Sequence, residues 1–99
     1  MALFSLYALD KKDGGAAIRA ANREAHVAWL KSHGDRLRVA GPVLSENGED
    51  MIGSLVIFDM ESLQAVEALC QQDPYAIAGL FERVEIRPYK WVLGDGQIG

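Results

Sequence analysis

The chain has 99 residues, 49% of them hydrophobic, which suits one domain with a small core. The net charge of -4, with acids and bases interspersed, argues against nucleic acid or an anionic membrane as the main partner. No apolar run reaches the ~18 residues that a membrane-spanning helix needs. The single cysteine, Cys70, excludes an internal disulfide and a cysteine metal cluster. We therefore expect a cytoplasmic, single-domain protein over residues 1–99, with a tail from about residue 93.

The first predicted element is a strand over residues 2–9, which are apolar and include aromatic residues. Alternate positions are apolar on both sides, with Phe4 and Leu6 on one face and Leu3 and Tyr7 on the other. A strand that is buried on both faces has this pattern. It predicts a central position in a sheet.

The second predicted element is a helix over residues 15–33, followed by Gly34 as a C-terminal stop. Its mostly apolar positions recur at a spacing of three and four residues, which predicts one buried face. The members of this predicted face are Ile18, Ala21, Ala25, Trp29 and Ser32.

Two strands follow, joined by a short turn. Residues 36–42 alternate between polar and apolar and predict a strand that a Gly-Pro pair closes. The Asn47-Gly48 pair after it predicts a hairpin-type reversal. Residues 51–59 are again apolar on both faces and predict a second central strand.

The chain closes with a helix and a strand. Residues 61–72 form an amphipathic pattern with one apolar stripe, which predicts a helix. Residues 83–92 alternate in polarity and contain Pro88, which cannot donate a hydrogen bond to a ladder. The last strand is therefore expected at a sheet edge or with a bulge.

The order strand, helix, strand, strand, helix, strand is the split βαβ arrangement of ferredoxin-like α+β folds. It predicts a four-stranded antiparallel sheet with the first and third strands in the centre. Two helices cover only one face of such a sheet, and the other face still carries large apolar side chains. Because an exposed apolar patch usually marks an interface, we predict a homodimer or higher oligomer with sheets packed face to face.

His26 and Asp73 are the candidate catalytic residues. His26 lies on the flank of the predicted buried face of the first helix, and Asp73 follows the second helix, so packing on a shared sheet face would let them meet. A carboxylate at one ring nitrogen would fix the tautomer and make the other nitrogen a general base. The plainer interpretation is that Asp73 only caps a short helix begun by Pro74, with His26 as a structural residue. The residues alone leave both interpretations open.

Arg23, Ser54 and Tyr75 are the candidate substrate-binding residues. Arg23 can pair with a carboxylate in a two-pronged fork, Ser54 can donate a hydrogen bond, and Tyr75 can line a pocket. A solvated arginine, a small residue packed in a strand and a core aromatic are the structural alternatives. Two histidines without carboxylate neighbours at ligand spacing predict no metal site.

Four segments together resemble the YCII-related (YciI-like) family over nearly the whole chain. These segments are residues 23–30, 38–43, 51–69 and 73–92. The pattern that carries the resemblance consists of Arg23 before His26, Gly41-Pro42, Gly53-Ser54, Glu61-Ser62-Leu63, and Asp73-Pro74-Tyr75 with Gly79. Two positions depart from the usual pattern, since Glu24 stands where proline is usual and Val27 where leucine is frequent.

The resemblance implies a ferredoxin-like dimeric α/β barrel and a His–Asp site, with His26 and Asp73 in the matching positions. Some members resemble dehydrochlorinases that remove chloride from ring-cleavage products of chlorinated aromatics, and the fold also resembles muconolactone isomerase. The start at residues 1–4 and the glycine-rich tail favour the dehydrochlorinase-like branch.

The expected function is cofactor-independent proton abstraction by the His–Asp pair from a small anionic unsaturated acid, such as a chlorinated muconate. Loss of a leaving group would make the protein a lyase, and return of the proton elsewhere would make it an isomerase. The alternative is a non-catalytic module that binds a small metabolite or assists another protein.

Overall fold

The computed structural model describes residues 2–94. In chain order the elements are β1 (Ala2–Asp10), α1 (Gly15–Lys31), a short 3-10 helix (Gly34–Arg36), β2 (Leu37–Leu44), β3 (Met51–Met60), α2 (Leu63–Cys70), α3 (Pro74–Ile77) and β4 (Phe81–Tyr89). The predicted α+β ferredoxin-like order is confirmed, and α3 is an added single turn after α2. Residues 95–99 of the expected tail lie outside the described part of the chain. Over residues 2–94, no helix is long and apolar enough to cross a membrane.

The four strands form one sheet in the order β2-β3-β1-β4, and all three pairings are antiparallel. The predicted central strands, β1 and β3, are therefore central, and the other two are edges. Pro42 and Pro88 both lie in edge strands, where a missing N–H group can face outward without breaking a ladder. The expectation that β2 closes at Pro42 was wrong, because pairing with β3 continues to Leu44.

The hydrophobic core lies between the helices and one face of the sheet. Its buried members are Phe4, Leu6, Ala8, Val56, Phe58, Met60 and Val66. On the other face, Tyr7 and Leu55 stand opposite each other on β1 and β3. They remain 41% and 40% exposed, so the large side chains of this open face have no cover within residues 2–94.

The Asn47-Gly48 pair forms the predicted reversal between β2 and β3. Gly48 has a φ of 77°, in the left-handed region that favours glycine. The side chain of Asn47 accepts a hydrogen bond from the backbone N–H of Glu49 at 3.0 Å. This turn sets the register of the hairpin that carries Ser54.

The buried face of α1 differs from the predicted one. Ala21, Ala25 and Ser32 are exposed, whereas Arg19 and His26 are buried. Each of these two polar side chains contacts a carboxylate on another segment, which offsets the free energy of burying it. Apolar periodicity cannot detect a buried face built from paired polar groups, so the predicted face was rotated from the real one.

Candidate active site

His26 and Asp73 contact each other in the folded chain. Nδ1 of His26 lies 2.7 Å from Oδ1 of Asp73, and both residues are buried. The same Oδ1 accepts the backbone N–H of Tyr75 at 2.9 Å, which makes Asp73 the N-cap of α3. Pro74 follows at the first helical position, where its missing N–H needs no partner. Asp73 therefore caps α3 and contacts His26 at the same time, and it does both through the same oxygen atom.

This contact decides which ring nitrogen is available for chemistry. An ionised carboxylate can only accept hydrogen bonds, so Nδ1 of His26 carries the proton that faces Asp73. In a neutral imidazole the other nitrogen, Nε2, is then the basic atom. Such an arrangement can accept a proton from a bound molecule at Nε2 and stabilise the imidazolium that forms.

Tyr75 forms a wall against the imidazole. The two rings stack with centroids 3.8 Å apart and planes 14° apart. Tyr75 is 1% exposed. Burial raises the pKa of its hydroxyl above the ordinary value, and the nearby charges of Arg19 and Arg23 oppose this in part. Tyr75 is thus both a core residue and part of the cavity wall. The two interpretations of this residue, as a core aromatic and as a pocket-lining side chain, both apply.

A cavity of about 310 Å³ lies between α1 and the β2–β3 side of the sheet. Its lining includes four of the predicted site residues, Arg23, His26, Ser54 and Tyr75. Asp73 contacts His26 but does not line the cavity. The structure therefore brings all five predicted residues to one place, with Asp73 in a supporting position.

Arg23 and Ser54 differ in how firmly they are held. Arg23 is exposed and, within residues 2–94, makes no ion pair. Ser54 is 4% exposed, and its hydroxyl accepts a hydrogen bond from Arg19 at 3.1 Å. An exposed cation without an ion pair and a buried, hydrogen-bonded hydroxyl thus face the same cavity.

His33 and Cys70 lie outside this cavity. His33 packs edge-on against Trp29, and its pKa is lowered by burial and by the charge of Arg36, with Asp73 acting in the opposite direction. Burial raises the pKa of the Cys70 thiol to about 12, with smaller contributions from Asp73 and Glu67. Within the described residues 2–94, no group of three or more His, Cys, Asp or Glu side chains is arranged to hold a metal ion.

Arg19 also lines the cavity, although the residue patterns of the sequence did not predict it as a site residue. Arg19 forms a two-pronged ion pair with Asp10 at the end of β1. Burial opposes the charged form, but the hydrogen bond and the charge of Asp10 outweigh it, so the pKa of Arg19 is raised. A signal was available, because Arg19 and His26 are seven residues apart within the predicted helix and so share one helix face.

The match to a family of known proteins covers most of the chain. The model of the YCII-related domain matches residues 2–90. The chain belongs to the YCII-related family. It is 39% identical to Protein YciI of Escherichia coli over 98 residues, a match that covers 92% of this chain and 99% of that protein. It is also 41% identical over 82 residues to an uncharacterized protein of Haemophilus influenzae, covering 76% of this chain and 84% of that protein.

Among solved structures, this YCII-related domain is similar to a dehydrochlorinase. That protein is the 5-chloro-2-hydroxyhydroquinone dehydrochlorinase TftG of Burkholderia phenoliruptrix, in complex with 2,5-dihydroxybenzoquinone. The TM-score is 0.78 and the identity 31%, with 93% of this chain and 95% of that chain covered. The name of that enzyme describes a compound with an intact ring, whereas the substrate expected from the sequence is an open-chain acid such as a chlorinated muconate.

Proposed function

We propose that this YCII-related domain is an enzyme that moves a proton without a cofactor. In this proposal Nε2 of His26 is the general base, and Asp73 holds the imidazole in the tautomer that leaves Nε2 basic. The observation that carries the proposal is the buried 2.7 Å contact between Nδ1 of His26 and Oδ1 of Asp73, with His26 at the wall of a cavity. The similarity to a dehydrochlorinase supports the same class of chemistry.

The substrate is a small, unsaturated, anionic molecule, either a hydroxylated ring or an open-chain muconate-type acid. A cavity of about 310 Å³ is at the small end of ligand pockets and suits one ring with few substituents. Arg23 pairs with a substrate anion, Ser54 donates a hydrogen bond and Tyr75 provides an apolar wall. These three roles are supported by the presence of all three side chains in the cavity lining.

The reaction begins with removal of a proton from a carbon next to a carbonyl or enol. His26 takes the proton, and the C–H electron pair moves toward the carbonyl oxygen. In elimination from an open-chain acid, the electrons return to form a C=C bond while the C–Cl bond on the neighbouring carbon breaks and chloride leaves. On a chlorinated hydroxylated ring, His26 instead takes the proton of a ring hydroxyl in the tautomer whose chlorine-bearing carbon is saturated, and the O–H electron pair moves through the ring to expel chloride. In isomerisation, the imidazolium gives the proton back to a different carbon.

A non-catalytic binding or accessory module is the second candidate. One observation favours it, because Oδ1 of Asp73 has a structural task in capping α3 through the N–H of Tyr75. The contact with His26 can then serve stability, and the cavity can hold a metabolite without changing it. Binding of a small acid with no product at any pH would favour this candidate.

The deciding experiment is a turnover screen of chlorinated hydroxyhydroquinones and of chlorinated and unsubstituted muconates, with chloride release and absorbance as readouts. His26→Ala should lower turnover by ~10²–10⁴, the contribution of a positioned base. Asp73→Asn should lower it as well, because a neutral amide does not hold the imidazolium. His33→Gln is the matched control, since His33 lies just after the end of α1 and outside the cavity. Full turnover by His26→Ala would eliminate this mechanism.

We also propose that the protein is a homodimer whose sheets pack through their open faces. The support is the exposure of apolar side chains such as Tyr7 and Leu55 at the centre of a face that the helices do not cover. Joining two such faces would remove this area from water.

A further inference from the structure

Arg19 is the most firmly held charged side chain beside the cavity. Its Nε donates to Oδ2 of Asp10 at 2.7 Å, and its Nη2 donates to Oδ1 of the same carboxylate at 3.0 Å. Arg19 is only 6% exposed. Two parallel hydrogen bonds fix the plane of the guanidinium as well as its position. Arg19 therefore presents its Nη2 group in one defined direction.

That direction is toward β3 at Gly53 and Ser54. Nη2 lies 2.9 Å from the carbonyl oxygen of Gly53 and 3.1 Å from Oγ of Ser54. A Cβ atom at Gly53 would lie 2.3 Å from the carbonyl oxygen of Ala8, so β3 can approach β1 this closely only with glycine there. Nη2 of Arg19 carries two hydrogens but faces three acceptors, which belong to Asp10, Gly53 and Ser54. One of the two hydrogens is therefore shared between two acceptors.

The contact with Arg19 limits where the Ser54 hydroxyl can direct its proton. A guanidinium has no acceptor, so Ser54 can only accept from Arg19. Within residues 2–94, no protein acceptor for the Ser54 hydroxyl proton is found. Ser54 is buried and lines the cavity that His26 also lines. The free direction for its proton is therefore into the cavity.

We propose that Arg19 is a positioning residue that turns the Ser54 hydroxyl into a hydrogen-bond donor for the oxyanion of a bound substrate. This inference rests on the proposed function, in which proton removal by His26 sends the C–H electron pair to a carbonyl oxygen. A donor placed in advance at that oxygen stabilises the charge as it develops. The same donor binds a ligand that already carries an oxyanion.

The test is a binding titration with 2,5-dihydroxybenzoquinone, an acidic hydroxyquinone, followed by calorimetry and by its visible absorption band. Ser54→Ala should weaken binding about tenfold or more, the range for a hydrogen bond to a charged group. Arg19→Lys keeps the positive charge but loses the planar fork, and it should weaken binding to a similar extent. Ser32→Ala, which changes an exposed serine directly after α1, is the matched control and should bind like the wild type.

The double variant separates positioning from a merely structural or electrostatic role. If Arg19 acts through Ser54, Arg19→Lys should have less than about a twofold further effect in the Ser54→Ala background. The absorption band of the bound quinone should shift in the same direction in both single variants, because both lose the same hydrogen bond. A structural role for Arg19 would not give this shared spectral change.

Three results would overturn the inference. They are wild-type affinity in Ser54→Ala, an undiminished effect of Arg19→Lys when Ser54 is already alanine, and failure of the wild-type protein to bind the quinone. Since the titration measures binding and not turnover, the two proposals can fail separately. Binding with the predicted pattern but without any turnover would reject the enzymatic function and leave the role of Arg19 intact.

Discussion

The imidazole of His26 lies nearly parallel to the ring of Tyr75, with centroids 3.8 Å apart and 14° between the planes. Arg19 also contacts this ring, with Cζ 4.8 Å from its centroid. Tyr75 thus links the arginine that contacts Ser54 to the histidine that contacts Asp73. The site is one packed unit and not a set of independent side chains.

Tyr75→Phe should keep this stack, and Tyr75→Leu should lose it. We expect the free energy of unfolding of the phenylalanine variant to lie within about 1 kcal/mol of the wild-type value. That of the leucine variant should be lower by about 2 kcal/mol or more, as for other poorly matched core substitutions. Urea denaturation measures both values. Equal free energies of unfolding for the two variants would show that the flat aromatic surface does not support His26.

Asp73→Ala should destabilise the fold in two ways at once. Loss of the cap on α3 costs about 1 kcal/mol, and a buried N–H of His26 without an acceptor costs about 1–3 kcal/mol more. Asp73→Asn should lose less stability, since its amide oxygen can still accept the hydrogen bonds from His26 and from the N–H of Tyr75. Asp13→Ala, an exposed acid in the turn after β1, is the control. If Asp73→Ala and Asp13→Ala unfold at the same urea concentration, the dual contact contributes little.

His33 should make stability depend on pH in the acidic range. Burial and the charge of Arg36 lower its pKa below the ordinary 6.5, so the folded chain binds the proton less readily than the unfolded chain. The stability that neutral His33 provides is complete above pH 6.5 and declines as the pH falls below it. Urea denaturation at about pH 7.5 and about pH 5.5 should therefore show a smaller loss of stability in His33→Gln than in the wild type. If the variant and the wild type lost the same free energy of unfolding between the two pH values, this prediction would be wrong.

Leu55→Asp should convert the proposed homodimer into a monomer. The substitution places a charge at the centre of the open face, opposite Tyr7, where packing of two sheets would bury it. Ile77→Asp is the control, because Ile77 on α3 is 73% exposed and lies away from this face. Sedimentation velocity at micromolar concentration measures the state of each protein. A wild-type protein that sediments as a monomer there would remove the basis for the interface.

The fold could be predicted because its signals are local and repeated along the chain. Apolar residues on both faces of residues 2–9 and 51–59 predicted the two central strands, and Pro88 predicted an edge. The order of elements then left few arrangements of the sheet. The buried face of α1 was predicted wrongly, because Arg19 and His26 are polar and are buried only through partners on other segments.

The class of fold, the family resemblance and a short set of candidate functional residues could be recognised from the sequence, because these depend on residue type and spacing. Which of those residues contact each other depends on how the folded chain packs. His26 and Asp73 are 47 positions apart, and Arg19 and Ser54 are 35 apart, so the hydrogen bonds within each pair exist only once the sheet and helices have packed. Distances between remote segments are a property of that packing, and no local pattern encodes them.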